Sequence, residues 1–364
     1  CIKCHSRNKN ARAKARKEGK PLPGASPYET RKTFTIDHKT GLVTIQQVIE
    51  IDKLSQFKTA QKRARFMRLW EKQGEGVNVQ GKIINGKVVG GIEWTKFVDP
   101  DGTERRGYTW NPISGCMHAC QWQMPDGAIA NCYAEDVAHN LAQVAYPHGF
   151  EHHYWKPELL VKPGRVHQPS RIFVGSMADV FGHWVPADQI EQVIQVARDC
   201  PQHSFQFLTK NPLRTLQFDL PPNAWIGASS PPDFMWNKAL NSNQKISLLD
   251  RSLKTLAEVK TPVRWMSFEP LSNDYAWLIR RYAGVLQWAV IGAASNGKTL
   301  YPPDEKHVRN LVEELDAQGV KVFFKGNLKS LEWAAQNWRE EFPVVATPEP
   351  EPAPLPEPAQ LSLL

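Results

Sequence analysis

Three of the six cysteines of this 364-residue chain lie in one segment, TWNPISGCMHACQWQMPDGAIANCYAED. Three residues separate Cys116 from Cys120, and eleven separate Cys120 from Cys132. Thiolate is a soft ligand that suits zinc and iron–sulfur sites. Three cysteines leave one position open, which His118 or water could fill at a zinc ion and a small molecule could fill at a four-iron cluster. The spacing alone therefore predicts a soft-metal site and leaves zinc and iron–sulfur as alternatives.

Polar residues stand at the ends of the apolar runs that follow the cysteine segment. Because the carboxyl ends of parallel strands meet at one edge of a sheet, we expect these residues to share a site. Lys210 would hold a carboxylate or a phosphate, and Glu269 would bind hydroxyls or a substrate group. Ser176 or Asp179 could instead cap a helix. The predicted site residues are Ser176, Met177, Asp179, Lys210, Ser229, Ser267, Glu269, Gly292 and, with the weakest signal, Lys325.

The elements that must position these residues alternate along the chain. Apolar runs recur in TWNPISGC and at 171–177, 204–210, 224–230, 263–270, 287–294 and 321–328. Helical candidates at 133–145, 187–199 and 304–318 separate several of them, and the last two carry apolar residues on one face. Near-continuous apolar strands that alternate with helices indicate a parallel α/β sheet, either a barrel or a doubly wound fold.

The flanking segments have a different composition. We expect a basic arm and linker at 1–27, a small α+β appendage at 28–95, the main domain at 96–345 and a Pro/Glu-rich disordered tail at 346–364. Within the appendage, HKTG predicts a turn between two strands, 53–73 predicts a helix, and Asn85–Gly86 predicts a hairpin.

Seven of the eight net positive charges fall within residues 1–20. Such an arm could contact nucleic-acid phosphates, although a solvated tail has the same composition. No run of 18 apolar residues exists, so we expect no membrane span. The cysteine usage suits a reducing cytoplasm.

The chain begins at Cys1 and not at Met, so its natural start could lie upstream. The terminal CxxCH of Cys1, Cys4 and His5 matches the c-type haem pattern. We expect instead half of a zinc knuckle on Cys1 and Cys4, or no metal at all.

The cysteine segment resembles that of the radical S-adenosylmethionine (SAM) proteins, whose loop has the spacing CxxxCxxC. This chain keeps CxxxC and has nine additional residues before Cys132. More closely, it resembles a phage-associated radical-SAM-like family of unknown function, to which enzymes such as spore photoproduct lyase are distantly related. The resemblance covers about residues 92–330. The matching blocks are Thr109–Cys116, Cys132–Glu135, Ile172–Phe181, Phe205–Lys210, Trp225–Ser229, Ser267–Pro270 and Val290–Ala293.

This resemblance implies an α/β fold, specifically a partial parallel (β/α)6 barrel. It implies a 4Fe–4S cluster on Cys116, Cys120 and Cys132, SAM at the open iron, an electron donor for the cluster and radical chemistry on an unknown substrate. Lys210 and Glu269 are then the catalytic candidates. The cofactor contacts would be Ser176, Met177, Asp179, Ser229, Ser267 and Gly292.

Two other functions remain open at this point. One is a non-catalytic iron–sulfur or zinc protein that binds nucleic acid through the basic arm. The other is a zinc-dependent hydrolase, which would need a general base near its ligands; no HExxH spacing is present.

Overall fold

The computed structural model describes residues 30–36, 43–49, 77–296 and 299–344. Strands Thr30–Ile36 and Val43–Ile49 pair antiparallel, as predicted on either side of HKTG. The predicted turn itself, the helix at 53–73, the basic arm with Cys1 and Cys4, and the tail lie outside the described residues. By their contacts, Cys1–Glu75 with Glu135–His152 form one unit, and Gly76–Ala134 with His153–Leu364 form another. The boundaries predicted from composition stay predictions.

An eight-stranded sheet is the centre of the second unit. Seven strands run parallel and in chain order, and the first strand pairs antiparallel at one edge. The prediction of a mixed α/β fold with a mostly parallel sheet is therefore confirmed. In sheet order the strands are β1 (Val77–Val79), β2 (Tyr108–Trp110), β3 (Arg171–Val174), β4 (Ser204–Thr209), β5 (Ala224–Ser229), β6 (Val263–Phe268), β7 (Trp288–Ile291) and β8 (Lys321–Phe324).

Helices connect most of the parallel strands. Two of the three predicted helices agree with the structure to within one residue at each end, and the one predicted at 133–145 is shorter. None of the helices in the described part of the chain has the length and apolar character needed to cross a membrane. The helices are α1 (Tyr133–Asn140), α2 (Ala187–Asp199), α3 (Ser242–Glu258), α4 (Ala276–Arg281), α5 (Glu305–Ala317) and α6 (Glu332–Gln336).

One face of the sheet is covered by α2 to α6. The apolar stripe of α2, which includes Ile190 and Val193, is buried in the same cluster as Ile172 and Val174 of β3. Burying such a side chain contributes about 1.5–3 kcal/mol. The apolar residues that recur with a 3.6-residue period in the helices and a two-residue period in the strands therefore pack in one core.

The opposite face is filled by aromatic residues. Trp94, in the short 3-10 turn Glu93–Thr95, packs with its ring centroid 4.6 Å from that of Phe173 and 5.2 Å from that of Trp265. Trp265 lies over Gly227, where a Cβ would come within 2.3 Å of its indole ring. Because α2 to α6 lie on the other face, this aromatic cluster covers the second face of the sheet.

Short antiparallel pairs of strands lie in the loops around the main sheet. The predicted Asn85–Gly86 turn is confirmed, because both residues have positive φ angles, 50° and 76°, as a type I′ hairpin requires. The pairs of short strands are Lys82–Ile84 with Lys87–Val89, Phe97–Val98 with Glu104–Arg105, Ile113–Ser114 with Tyr154–Trp155, and Ala294–Asn296 with Thr299–Tyr301. A four-stranded sheet is made of Ile129–Asn131, Gln121–Gln123, Phe234–Met235 and Lys238–Ala239.

Candidate functional site

The three clustered cysteines follow β2, the first parallel strand. Cys116 and Cys132 are half-buried and Cys120 is buried. The carboxyl ends of parallel strands are where α/β folds place their sites. The predicted cysteine site therefore lies at the expected edge of the sheet.

The eleven residues between Cys120 and Cys132 form a β-hairpin. Gln121 stands opposite Asn131, and the Cys132 N–H donates to the Cys120 carbonyl at 3.1 Å. The turn at its far end is MPDG, where the Gly127 N–H donates to Met124 and Gly127 has a φ of 83°. The extra residues thus leave the loop and return to it, so that Cys120 and Cys132 are neighbours across the base of the hairpin.

Asn111, from the TWNP block, ties the cysteine loop to the loop after β3. Its side-chain amide donates to the Ser176 hydroxyl at 3.1 Å, and its side-chain oxygen accepts from the Met177 N–H at 2.9 Å. The Gly115 N–H donates to the Met177 carbonyl at 2.9 Å. The sequence blocks around Asn111 and Ser176 therefore belong to one hydrogen-bonded unit.

Asp179 is buried and has protein partners at both oxygens. It lies 2.8 Å from His118 Nε2 and accepts from the backbone N–H groups of Lys210 and Phe181 at 2.8 and 3.1 Å. Burial alone would raise the pKa of Asp179, but hydrogen bonds from His118, Lys210 and Thr209 outweigh it and lower the pKa. The alternative of a helix cap at Asp179 is wrong, since no helix begins there; the carboxylate instead joins three loops.

The three thiols and Lys210 influence one another electrostatically. Burial raises the pKa of the Cys116 thiol, and the charges of Asp179, Cys120 and Cys132 raise it further. Burial by itself would lower the pKa of Lys210, but the negative charges of the cysteines hold it above its usual value. A cation therefore faces the place where negative thiolates would gather.

The candidate metal ligands of this loop are the three cysteines and His118. Within the described ranges, no three His, Cys, Asp or Glu side chains are grouped so that they could hold one metal ion. His118, the alternative fourth ligand, has its Nε2 on Asp179, and its buried Nδ1 has no hydrogen-bond partner among the described residues. A four-iron cluster needs less convergence, because each thiolate binds a different iron atom. Three cysteines leave one of the four ligand positions of such a cluster open.

A second group of polar residues lies at the ends of β6, β7 and β8. Glu269 forms an ion pair with Lys325, with 2.8 Å between Oε2 and Nζ, and accepts from the Ser267 hydroxyl at 3.0 Å. A Cβ on Gly292 would lie 3.0 Å from Lys325 Cδ and 3.3 Å from Glu269 Cγ. Burial would lower the pKa of Lys325, but Glu269 and Glu93 raise it.

The predicted site residues therefore fall into two groups along one edge. Ser176, Met177, Asp179 and Lys210 lie with the cysteines, whereas Ser267, Glu269, Gly292 and Lys325 lie together beyond them. Ser229 pairs in register with Ser267. Their roles toward a cofactor stay predictions.

Three residues that hydrogen-bond the loops at the ends of the strands were not predicted from the sequence. Asn111 was visible only as part of the TWNP block. Asn327 bonds the backbone of Ala293 through both side-chain atoms, at 3.0 and 2.9 Å. Glu93 accepts from the Gly326 N–H at 2.7 Å, a contact across 233 residues that no local pattern signals.

Residues 90–341 match the family model described as "Protein of unknown function (DUF5131)". Among curated proteins, none matches this chain significantly.

Three solved structures of spore photoproduct lyase are distantly similar. The complex with dinucleoside spore photoproduct is 10% identical, with a TM-score of 0.37, and the match covers 60% of this chain and 76% of that chain. A cysteine-to-serine mutant is 12% identical, with a TM-score of 0.40, covering 58% and 75%. A double mutant with bound AdoMet and dinucleoside spore photoproduct is 11% identical, with a TM-score of 0.40, covering 60% and 76%. Similarity at this level is too low to bear on what the chain does.

Proposed function

This chain belongs to the DUF5131 family, and we propose that it is a radical-SAM-like iron–sulfur protein that holds a 4Fe–4S cluster on Cys116, Cys120 and Cys132. The observation that carries this proposal is the hairpin that returns Cys132 to Cys120. It places the backbone of Cys132 next to that of Cys120 although eleven residues lie between them. Three thiols then share one loop after the first parallel strand.

The fold part of the proposal is a partial (β/α)6 barrel. Its support is the chain-order parallel sheet with α2 to α6 on one face. In such an arrangement the second face is the interior, which here holds Trp94 and its aromatic neighbours. The polar residues at the strand ends then line the mouth.

The cluster, when bound with SAM at its open iron, would supply one-electron reductive chemistry that the side chains themselves lack. The chain's own residues have other tasks. Asn111 and Asp179 hold the loops in place, and Lys210 offsets negative charge at the thiolates. Glu269 and Lys325 offer an acceptor and a donor to the polar groups of a ligand.

The catalytic assignment of Lys210 and Glu269, and the SAM contacts of Ser176, Met177, Asp179, Ser229, Ser267 and Gly292, are parts of the same proposal. So are an electron donor as partner, a cytoplasmic location and a nucleic acid or nucleotide as substrate. The basic residues 1–20 are the only support for that substrate class.

Anaerobic reconstitution with iron and sulfide tests the proposal. The protein should bind about four irons per chain, and its reduced form should give an electron paramagnetic resonance signal that changes when SAM is added. Production of deoxyadenosine under reducing conditions would establish catalysis. A non-catalytic iron–sulfur protein is the alternative, and it would show the cluster without any response to SAM.

A further inference from the structure

His118 connects three parts of the cysteine site. It lies between the first two cysteines and is only 3% exposed. Its backbone N–H donates to the Cys116 thiol, and its carbonyl accepts from the Trp236 N–H at 2.7 Å. Its Nε2 lies 2.8 Å from Asp179 Oδ2. Because an ionised carboxylate only accepts, Nε2 must carry the proton in this hydrogen bond.

Asp179 extends this connection to the neighbouring strands. It is 5% exposed and also accepts from Lys210 at the end of β4 and from Phe181 in its own loop. Its protein partners thus come from the cysteine loop, the loop after β3 and the end of β4. A buried carboxylate with this many donors is costly to disturb.

The backbone between the cysteines needs such support. Ala119 has a φ of 50°, in the left-handed region that a non-glycine residue rarely adopts. His118, directly before it, also packs its ring edge-on to Trp184, with 4.9 Å between centroids. The strained residue is therefore held by a neighbour whose backbone and side chain are both fixed.

We propose that His118 and Asp179 form a positioning pair that fixes Cys116 and Cys120 in their binding geometry before any cluster is present. The nature of the metal group rests on the proposed function, whereas the ordering of the cysteine loop does not. Partners one step removed from a metal site often change metal affinity by about 10–100-fold when they are replaced.

Asp179→Asn and His118→Ala test the pair. Asp179→Asn leaves one acceptor oxygen where the carboxylate has two, so an NH2 donor must face either the Phe181 N–H or the pair of His118 and Lys210. We expect both variants to raise the rate at which iodoacetamide labels Cys116 and Cys120 in the metal-free protein by about tenfold. After reconstitution they should lose iron to a chelator about tenfold faster than the wild type. His118→Gln, which keeps an N–H near the Nε2 position, should restore much of both properties.

Glu104→Gln is the matched control. Glu104 is also a buried carboxylate with several donors, Val88, Lys87 and Lys96, but it lies away from the cysteines. We expect it to lower thermal stability without changing labelling of Cys116 and Cys120. If Asp179→Asn does not fold, the comparison of His118→Gln with His118→Ala decides.

Wild-type labelling rates in Asp179→Asn and His118→Ala would overturn the proposal, as would equal changes in Glu104→Gln. If the wild type itself takes up no iron, the proposed function fails, but the labelling rates still decide whether the pair orders the loop.

Discussion

The polar residues at the strand ends form two groups, one at the cysteine end and one at the Glu269 end. The two groups differ in whether their charged side chains already have partners within the protein. At the cysteine end, three thiols share one loop and raise the pKa of Lys210 by their charge. At the Glu269 end, the carboxylate already has Lys325 and Ser267 as partners. The first end holds three thiols that a metal group would bind as thiolates. The second is balanced within the protein and can serve a ligand only by exchanging partners.

This difference assigns separate tasks to the two ends. Soft ligands on a rigid loop suit a metal cluster. A partly buried ion pair that packs across Gly292 suits the recognition of a polar molecule. Substitutions at one end should therefore leave the property of the other end intact.

The largest effect is expected at the cysteine end. Cys116→Ser, Cys120→Ser and Cys132→Ser should each abolish the visible absorption of the reconstituted cluster, because serine is a hard and poorly ionised ligand. Cys200→Ser is the control, since Cys200 is buried in the helix-covered core. A Cys132→Ser protein that keeps its full iron content would contradict the proposal that the hairpin brings Cys132 to the cluster as a ligand.

The next effect concerns the Glu269 end alone. Glu269→Gln replaces the charged acceptor that we propose for the polar groups of SAM by a neutral amide, so SAM should bind about tenfold more weakly when measured by titration. The iron content should stay at the wild-type value. A loss of cluster in Glu269→Gln would show that the two ends are not independent.

A smaller effect is expected from Gly292→Ala. Its Cβ would press on Lys325 Cδ at 3.0 Å, and the flexible lysine can move aside. We expect a loss of about 1 kcal/mol or less in the free energy of unfolding and a displaced Lys325 that weakens SAM binding. Denaturant unfolding measures the first quantity, and an unchanged SAM titration would argue against the role of Lys325.

The smallest effect on the cluster is expected from a shortened hairpin. Hydrogen-bonded pairs alternate along an antiparallel hairpin, so the bond between Cys132 and Cys120 makes Trp122 and Ala130 the next such pair. Replacing residues 123–129 by Asn-Gly keeps this pair beside the turn, so Cys132 should still lie beside Cys120. Stability should fall because buried Met124 is removed. Iron content close to that of the wild type would show that the base of the hairpin is sufficient to place Cys132. A complete loss of iron would show that more than the hairpin base orders the cysteines.

The sequence predicted β3 to β8 and the helices α2 and α5 because their signals are local, whereas the 17-residue helix α3 was not predicted. Apolar runs marked β3 to β8, and the stripes of α2 and α5 were readable from their period. The hairpin between Cys120 and Cys132 was not predicted, although Pro125, Asp126 and Gly127 form a recognisable turn signal.

The long-range contacts of the site could not be read from the sequence. His118 meets Asp179 across 61 residues, and Glu93 meets Gly326 across 233. Trp94 lies in a turn with no periodic pattern, yet it fills the aromatic face. Such contacts depend on how the strands are ordered, and no local spacing encodes that order.

Electron paramagnetic resonance of the reduced, reconstituted protein, recorded with and without SAM, tests the central claim most directly. We predict a four-iron signal that changes when SAM is added and that is absent in Cys132→Ser. A colourless protein that takes up one zinc per chain and no iron would contradict it.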